Sequence, residues 1–228
     1  MKLLVAILGK MDYKEALSIQ ERLLKLRQQG LIEDTLLLLE HPPVLTMGVR
    51  SNRANILTPE EVLKAQGVNI YEVNRGGDVT YHGPGQIVGY PILDLKKHGR
   101  DIPDFFRKIE ETFIQLLKEE YGITAGRNSK YPGVWVGDEK ITAIGCAVKR
   151  WVTMHGFAFN VNTQLEHFLW INPCGITDKG VTSLQKILGY PQDLNKVNEQ
   201  VARYLCKIFN LQPKIIDKQK LYQITGRD

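Results

Sequence analysis

Two stretches of the chain hold residue types and spacings able to do covalent or ligand chemistry. Cys174 stands between Pro173 and Gly175, in a segment with no regular hydrophobic period. A thiol in such a loop can be solvated and approached by backbone N–H groups, the setting of a nucleophile. The competing reading of a free cysteine is a small buried core residue. That reading suits Cys206, on an apolar helical face, and Cys146, within an apolar strand. A thiol with an ordinary pKa of about 8.5 is only slightly ionised at neutral pH, so a nucleophilic cysteine needs a neighbour that handles its proton. His82, His155 and Lys140 are the candidates. Lys140 opens the run Lys140-Ile141-Thr142-Ala143-Ile144-Gly145, where partial desolvation would lower the ammonium pKa. An ordinary turn lysine after Asp138-Glu139 fits the same spacing.

The other stretch is Arg75-Gly76-Gly77-Asp78-Val79-Thr80-Tyr81-His82-Gly83-Pro84-Gly85-Gln86. Its four glycines and one proline force unusual backbone dihedrals and let main-chain N–H groups approach a ligand closely. Val79-Thr80-Tyr81 reads as a short strand with His82 projecting from its end. A tight loop around a buried, hydrogen-bonded histidine fits equally well. No G-K-[ST] follows, so the segment is not a P-loop.

Bulk properties bound what these residues can belong to. A chain of 228 residues with 43% hydrophobic content can bury one large core, as a single domain or a domain with a small lobe. Thirty basic against 25 acidic residues leave a net charge of +5, which favours acidic partners. No basic run resembles a nucleic-acid arm. Three widely spaced cysteines with no C-x-x-C pair fit reduced thiols in a cytoplasmic protein rather than a disulfide or zinc framework. The apolar start from Met1 to Lys10 is too short for a signal peptide and lacks a cleavage site, so it reads as a buried strand. No stretch approaches the ~20 apolar residues that span a bilayer.

The remaining punctuation and periodicity supply the elements that must position the candidates. Asp12, three residues before Glu15, opens an amphipathic helix through about Gln29, stopped by Gly30. Thr35 to Leu39 reads as a buried strand ended by His41-Pro42-Pro43. Thr58-Pro59-Glu60-Glu61 predicts a second capping box and a short helix ending by Gly67, followed by a strand over Asn69 to Val73. Ile87 to Leu93 is a strand. Asp101 caps a long helix to about Tyr121, with Ile102, Phe105, Ile109, Phe113, Leu116 and Leu117 inward. Val134 to Val136, Ile141 to Val148 and His155 to Val161 read as antiparallel hairpins. A short helical piece lies near Leu165 to Trp170, and a helix spans Leu194 to Phe209. The stretch beyond Gln212 yields no element. The fold class is α+β, with helices packed on a mainly antiparallel mixed sheet.

Taken together, Arg75 to Gln86, Lys140 to Gly145, His155-Gly156-Phe157-Ala158-Phe159-Asn160-Val161, Pro173-Cys174-Gly175-Ile176 and Val181 to Leu184 occur in an order and spacing that resembles the lipoyl(octanoyl) transferases. Those enzymes move an octanoyl group from acyl carrier protein to lipoyl domains. The resemblance runs from about Tyr13 to Phe209. It implies the cofactor-transferase fold shared with biotin and lipoate protein ligases, in one catalytic domain over residues 1–228 with a tail of uncertain structure at about 211–228. It also implies a Cys/Lys pair: Cys174 as the acyl-thioester nucleophile, and Lys140 lowering its pKa and serving as general acid and base. Substrate-binding segments fall on Arg75, Gly76, Gly77, Asp78, Val79, Thr80, Tyr81 and His82, on Ala143, Ile144 and Gly145, and on Gly156, Phe157 and Ala158; Asp78 stands where such proteins vary. The implied donor is octanoyl-acyl carrier protein. The implied acceptors are lipoyl domains of 2-oxoacid dehydrogenase and glycine cleavage complexes. No cofactor, metal, nucleic acid or membrane enters the scheme.

Overall fold

The computed structural model describes residues 1–173 and 179–226. The N-terminal apolar run forms β1 (Lys2–Lys10), and α1 (Tyr13–Gln28) follows with Asp12 as its cap, the carboxylate accepting from the Lys14 N–H at 2.8 Å. Next come β2 (Asp34–Glu40), β3 (Val44–Met47), α2 (Glu60–Ala65), β4 (Asn69–Glu72), β5 (Val79–His82) and β6 (Gln86–Ile92). The long helix α3 (Ile102–Tyr121) begins at the Asp101 cap and ends on Gly122 at φ 65°, the left-handed position that glycine fills without strain. Then follow β7 (Gly126–Arg127), β8 (Val134–Val136), β9 (Glu139–Lys149), β10 (Val152–Asn160), a 3₁₀ turn over Leu165–Trp170, β11 (Gly180–Val181) and α4 (Leu184–Leu188). The chain closes with α5 (Leu194–Phe209), β12 (Gln212–Ile216) and α6 (Lys218–Thr225).

Among the described residues, nine strands form the main sheet in the order β12-β1-β2-β6-β10-β9-β8-β7, with β11 paired to β9. The pairings from β2 through β7 are antiparallel, while β1 runs parallel to β2 and β12. The sheet is therefore mixed and mainly antiparallel, as its hairpin patterning predicts.

Each strand alternates its side chains between two cores. Leu3, Leu36, Ile87, Phe157 and Phe159 meet Phe105, Ile109 and Phe113 of α3 and Val201 and Leu205 of α5 on one face. Leu4, Leu37, Val88, Tyr90 and Ala158 meet Ala16, Ile19 and Leu23 of α1 and Leu221 of α6 on the other. A second sheet, β4-β3-β5, carries a third core of Leu45, Met47, Leu63, Val79, Tyr81 and Phe168. This small lobe lies over the α1 side of the main sheet.

Three local expectations shift. The capping box at Thr58 does not form: the helix starts one residue later, with Pro59 at the cap position and no side-chain cap bond. Ile102, expected inward, is 37% exposed because it occupies the first position of α3, overhanging the end of the core. β3, absent from the sequence reading, lies immediately after Pro42-Pro43 as the centre of the small sheet.

Candidate active site

The main sheet and the small lobe meet along β9 and β10. Ala143 pairs with Ala158, and Ala158 with Val88, so these small residues form a shallow cross-strand track on the α1 face. Thr80 and His82 of β5 face this track. Val79 and Tyr81, on the alternate face of the same strand, are fully buried in the small lobe's own core. Only half of the β5 side chains therefore look onto the cavity.

The glycine-rich segment closes over the track. Gly76 N–H donates to the Cys146 carbonyl at 3.0 Å, and a Cβ at Gly145 would lie 3.1 Å from the Gly76 carbonyl. Arg75, 7% exposed, donates through Nη2 to the Thr46 carbonyl at 2.5 Å and through Nη1 to the Gly76 carbonyl at 3.0 Å, which fixes the loop to β3. Asp78 accepts from the N–H groups of Val79 at 2.7 Å and Asn52 at 3.1 Å and also bonds Asn55; its carboxylate organises the neighbouring turn.

Three connected spaces result. A cavity of about 50 Å³ lies between Val88, Ala143, Phe157 and Ala158 on one side and Arg75, Thr80 and His82 on the other. A cleft of about 390 Å³ shares Gly76, Gly77, Ile144 and Gly145 with it and opens past Asp78, Tyr131 and Lys140. A smaller space of about 20 Å³ shares Thr80, Ala143 and Ala158 with the first cavity and is bounded by both Lys140 and Pro173.

Lys140 is half-buried near the start of β9. Its ammonium lies 4.9 Å from the centre of the Trp135 ring, and its methylenes sit beside Gly133, where a Cβ would be 3.4 Å away. Its backbone carbonyl accepts from Thr182 N–H at 3.0 Å, and its Cα pairs with Val181 in the parallel β9–β11 contact. Cys174, with Gly175 and Ile176, lies outside the described residues. The chain on either side of them is held: Asn172 N–H donates to the Asn55 carbonyl at 2.8 Å, Ile171 bridges Ile56, and Gly180 pairs with Glu139.

The two histidines considered as proton acceptors have other partners. His82 Nδ1 is 2.8 Å from Gln86 Oε1, and burial, with the neighbouring His41 and Arg75, pushes its pKa down to about 3. His155 Nε2 is 2.7 Å from Asn74 Oδ1, and burial together with Arg75 pushes its pKa down to about 4. Both rings are neutral weak bases at pH 7. Cys146 and Cys206 are buried in the core, their thiols pushed up to about 12 and about 11 by burial. Lys149 and Arg150 lie at the opposite end of β9 from Lys140, nine positions or roughly 30 Å away at the rise of a strand.

Sequence reasoning left out Val88, Tyr90, Tyr13 and Trp135. Val88 and Tyr90 could have been found by extending the period-2 alternation of β6 from Gln86. Tyr13 and Trp135 reach the site through tertiary packing and carry no local signal.

Comparison with known proteins agrees with this architecture. Residues 12–206 match the family described as lipoyl protein ligase A/B catalytic domain. The chain is 68% identical over its full length, and the full length of its relative, to an octanoyltransferase of Desulforamulus reducens. It is 58% identical to an octanoyltransferase of Caldicellulosiruptor saccharolyticus, covering 98% of this chain and 96% of the other. The fold is shared with lipoate-protein ligase A bound with ATP at a TM-score of 0.79 and 17% identity, covering 99% of this chain and 93% of that one. It is shared more distantly with biotin protein ligase from Aquifex aeolicus, at a TM-score of 0.52 and 16% identity over 92% of this chain and 69% of that one. Among the described residues no helix is long and apolar enough to cross a membrane. The end-to-end match to the curated relatives, together with the catalytic-domain match across the strands that build the cleft, shows that the chain belongs to the octanoyltransferases of the lipoyl protein ligase A/B family.

Proposed function

We propose that the protein transfers an octanoyl group from octanoyl-acyl carrier protein to the ε-amine of a lysine on a lipoyl domain, through a thioester on Cys174. The observation that carries this reading is the shared space beside Lys140. Pro173, the residue bonded to Cys174, borders the same small cavity as Lys140, and that cavity continues between Ala143 and Ala158 into the track roofed by the Arg75–His82 segment.

The chemistry is two acyl transfers. The Cys174 thiolate attacks the carbonyl carbon of the donor thioester, and the tetrahedral oxyanion collapses with cleavage of the carbon–sulfur bond to the carrier. The carrier leaves as a thiol after taking up one proton, which Lys140 supplies. The acceptor amine then attacks the Cys174 thioester, loses a proton to Lys140, and expels the cysteine thiolate as the amide forms. Thioester exchange is nearly isoenergetic and amide formation is downhill, so no ATP is consumed.

Lys140 serves both steps by stabilising the thiolate and relaying the proton, a contribution of about 10²–10⁴-fold. Each methylene of the octanoyl chain contributes roughly 0.8 kcal/mol when buried along the Ala143–Ala158 track. The net charge of +5 suits acidic carrier and lipoyl domains.

The test is intact mass after mixing the protein with octanoyl-acyl carrier protein, then chasing with a lipoyl domain. An octanoyl adduct that is absent in Cys174→Ala and discharges to the lipoyl domain is the expected result; no adduct, or one that survives Cys174→Ala, rejects the thioester. Lys140→Ala should slow transfer by the factor given above, and near-normal transfer rejects the pair.

A further inference from the structure

The cavity between the sheets is apolar along most of β9 and β10, but the β10 end carries His155. The ring is 2% exposed and lines the cavity together with Tyr13, His82 and Arg75. Its backbone is at φ 56°, in mid-strand, a left-handed conformation uncommon outside glycine.

The cause is local. The antiparallel register that pairs Phe157 with Gly89 and resumes at the Asp94–Val152 bridge puts Pro91 opposite His155, and proline has no N–H to contribute. The pairing of β6 with β10 gives way there. The His155 N–H is taken instead by Gln20 Oε1 of α1 at 2.9 Å.

His155 is therefore held at its backbone by Gln20 and at its ring by Asn74. With Asn74 Oδ1 accepting at 2.7 Å, the ring proton belongs on Nε2 and Nδ1 presents a lone pair. Nδ1 is buried and has no hydrogen-bond partner among the described residues. The Arg75 guanidinium and burial both oppose a second proton. A cavity of about 50 Å³ is roomy enough for a water, which needs roughly 10–15 Å³ and two or more polar partners.

We infer that His155 is a specificity-determining residue that sets the upper length of the acyl chain, its Nδ1 accepting from a water at the β10 end of the slot. The inference rests on the octanoyl-transfer reading above. Cys146, the β9 partner of His155, is three positions beyond Ala143, which lines the same cavity, roughly 10 Å along the strand. A chain that stops short leaves the water in place. A longer chain expels it and leaves the lone pair against a methyl group, a loss of about 5–150-fold for a buried acceptor left unmade. Hydrophobic burial alone would instead raise affinity roughly fourfold per added methylene.

The experiment is kcat/KM for acyl-carrier thioesters from hexanoyl through tetradecanoyl, with the wild-type chain and His155→Leu, which keeps a side chain of similar bulk without the acceptor. The wild type should show a drop of about 5–150-fold beyond its preferred length, and the variant, with each rate taken relative to its own hexanoyl rate, should lose that drop. A drop of the same size at the same length in His155→Leu overturns the inference. Because leucine at φ 56° is strained, a second measurement uses the wild type alone: the imidazole ¹⁵N signal of His155 in octanoyl- and dodecanoyl-loaded protein. Nδ1 should lose its hydrogen-bonded shift only with the longer chain; identical signals, or a proton on Nδ1, overturn it. Failure of the wild type to accept any acyl group would instead reject the transferase reading.

Discussion

Gly156→Ala tests whether the close approach of β6 and β10 is a requirement of the fold. A Cβ built on Gly156 lies 2.1 Å from the Gly89 carbonyl oxygen and 2.6 Å from Pro91 Cδ. Ordinary Cβ contacts begin at 3.4 Å, so the shortfall is 3.4 − 2.1 = 1.3 Å. The obstructing atoms are backbone and a proline ring, which cannot swing aside as a long side chain would. β6 and β10 must separate, and overpacking of this kind costs about 1–3 kcal/mol. For a chain of this size, each kcal/mol lowers the melting temperature by roughly 2–4 °C, giving an expected drop of about 2–12 °C. Gly126→Ala is the matched control: nothing lies within 4 Å of its added Cβ, and its φ is not positive. That change should fall within about 0.5 kcal/mol of the parent. The assay is calorimetric unfolding of the three proteins at equal concentration, with octanoyl transfer measured alongside. Transfer should fall in Gly156→Ala and not in Gly126→Ala, because Gly156 borders the slot. An unchanged melting temperature in Gly156→Ala would refute the steric argument.

Three further outcomes follow from burial. The pKa values of His41, His82 and His155 are pushed down from 6.5 to about 4, about 3 and about 4, chiefly by burial, so the unfolded chain binds more protons than the folded one between those values and 6.5. Their stabilisation is complete above pH 6.5 and is lost as pH falls toward 4, with a limiting slope near three protons, about 4 kcal/mol per pH unit; denaturant titrations across this range check it, and a flat profile contradicts it. Cys146 and Cys206 should resist iodoacetamide at pH 7.5 in the folded protein and react once it is denatured, as peptide mass mapping will show. Truncation after Leu211 removes β12 and α6, exposing the edge of β1 and the packing site of the fully buried Leu221; the shortened chain should aggregate or melt at least several degrees lower in a thermal scan.

What the sequence disclosed follows the range of the interactions involved. Helices α1 and α3 announce themselves through the Asp12 and Asp101 caps and sustained apolar faces, and α5 through its apolar face alone, which are local signals; the Asp193 cap of α5 is absent from the sequence reading. The β9–β10 hairpin is legible because its strands alternate and are joined by a short turn. β12 is not, because Gln212 to Lys214 are exposed on an edge and the strand forms only by pairing with β1, about two hundred residues earlier. At the site, Lys140, Arg75 to His82 and the small residues of β9 and β10 are visible as motifs. The split of β5 into two functions, Thr80 and His82 toward the cavity and Val79 and Tyr81 into a separate core, depends on a second sheet that Pro42-Pro43 conceals. Pro91 lies within a strand read correctly from Ile87 to Leu93, and its effect on the β10 pairing shows only when it is seen opposite His155.

The seam between the two sheets has a mechanical consequence. Floor and roof each possess an independent hydrophobic interior, and the bonds that stitch them together include Gly76 to Cys146, His155 to Asn74, and Gln86 to His82 and the Tyr81 carbonyl. On the acyl-transfer reading, parting the seam would admit a flexible fatty tail with neither interior broken open. Amide exchange should register this as faster turnover in Val44–Met47 and Val79–His82 than in β1, β2 and β10, and as slowing of those two strands once the tail is lodged between the sheets.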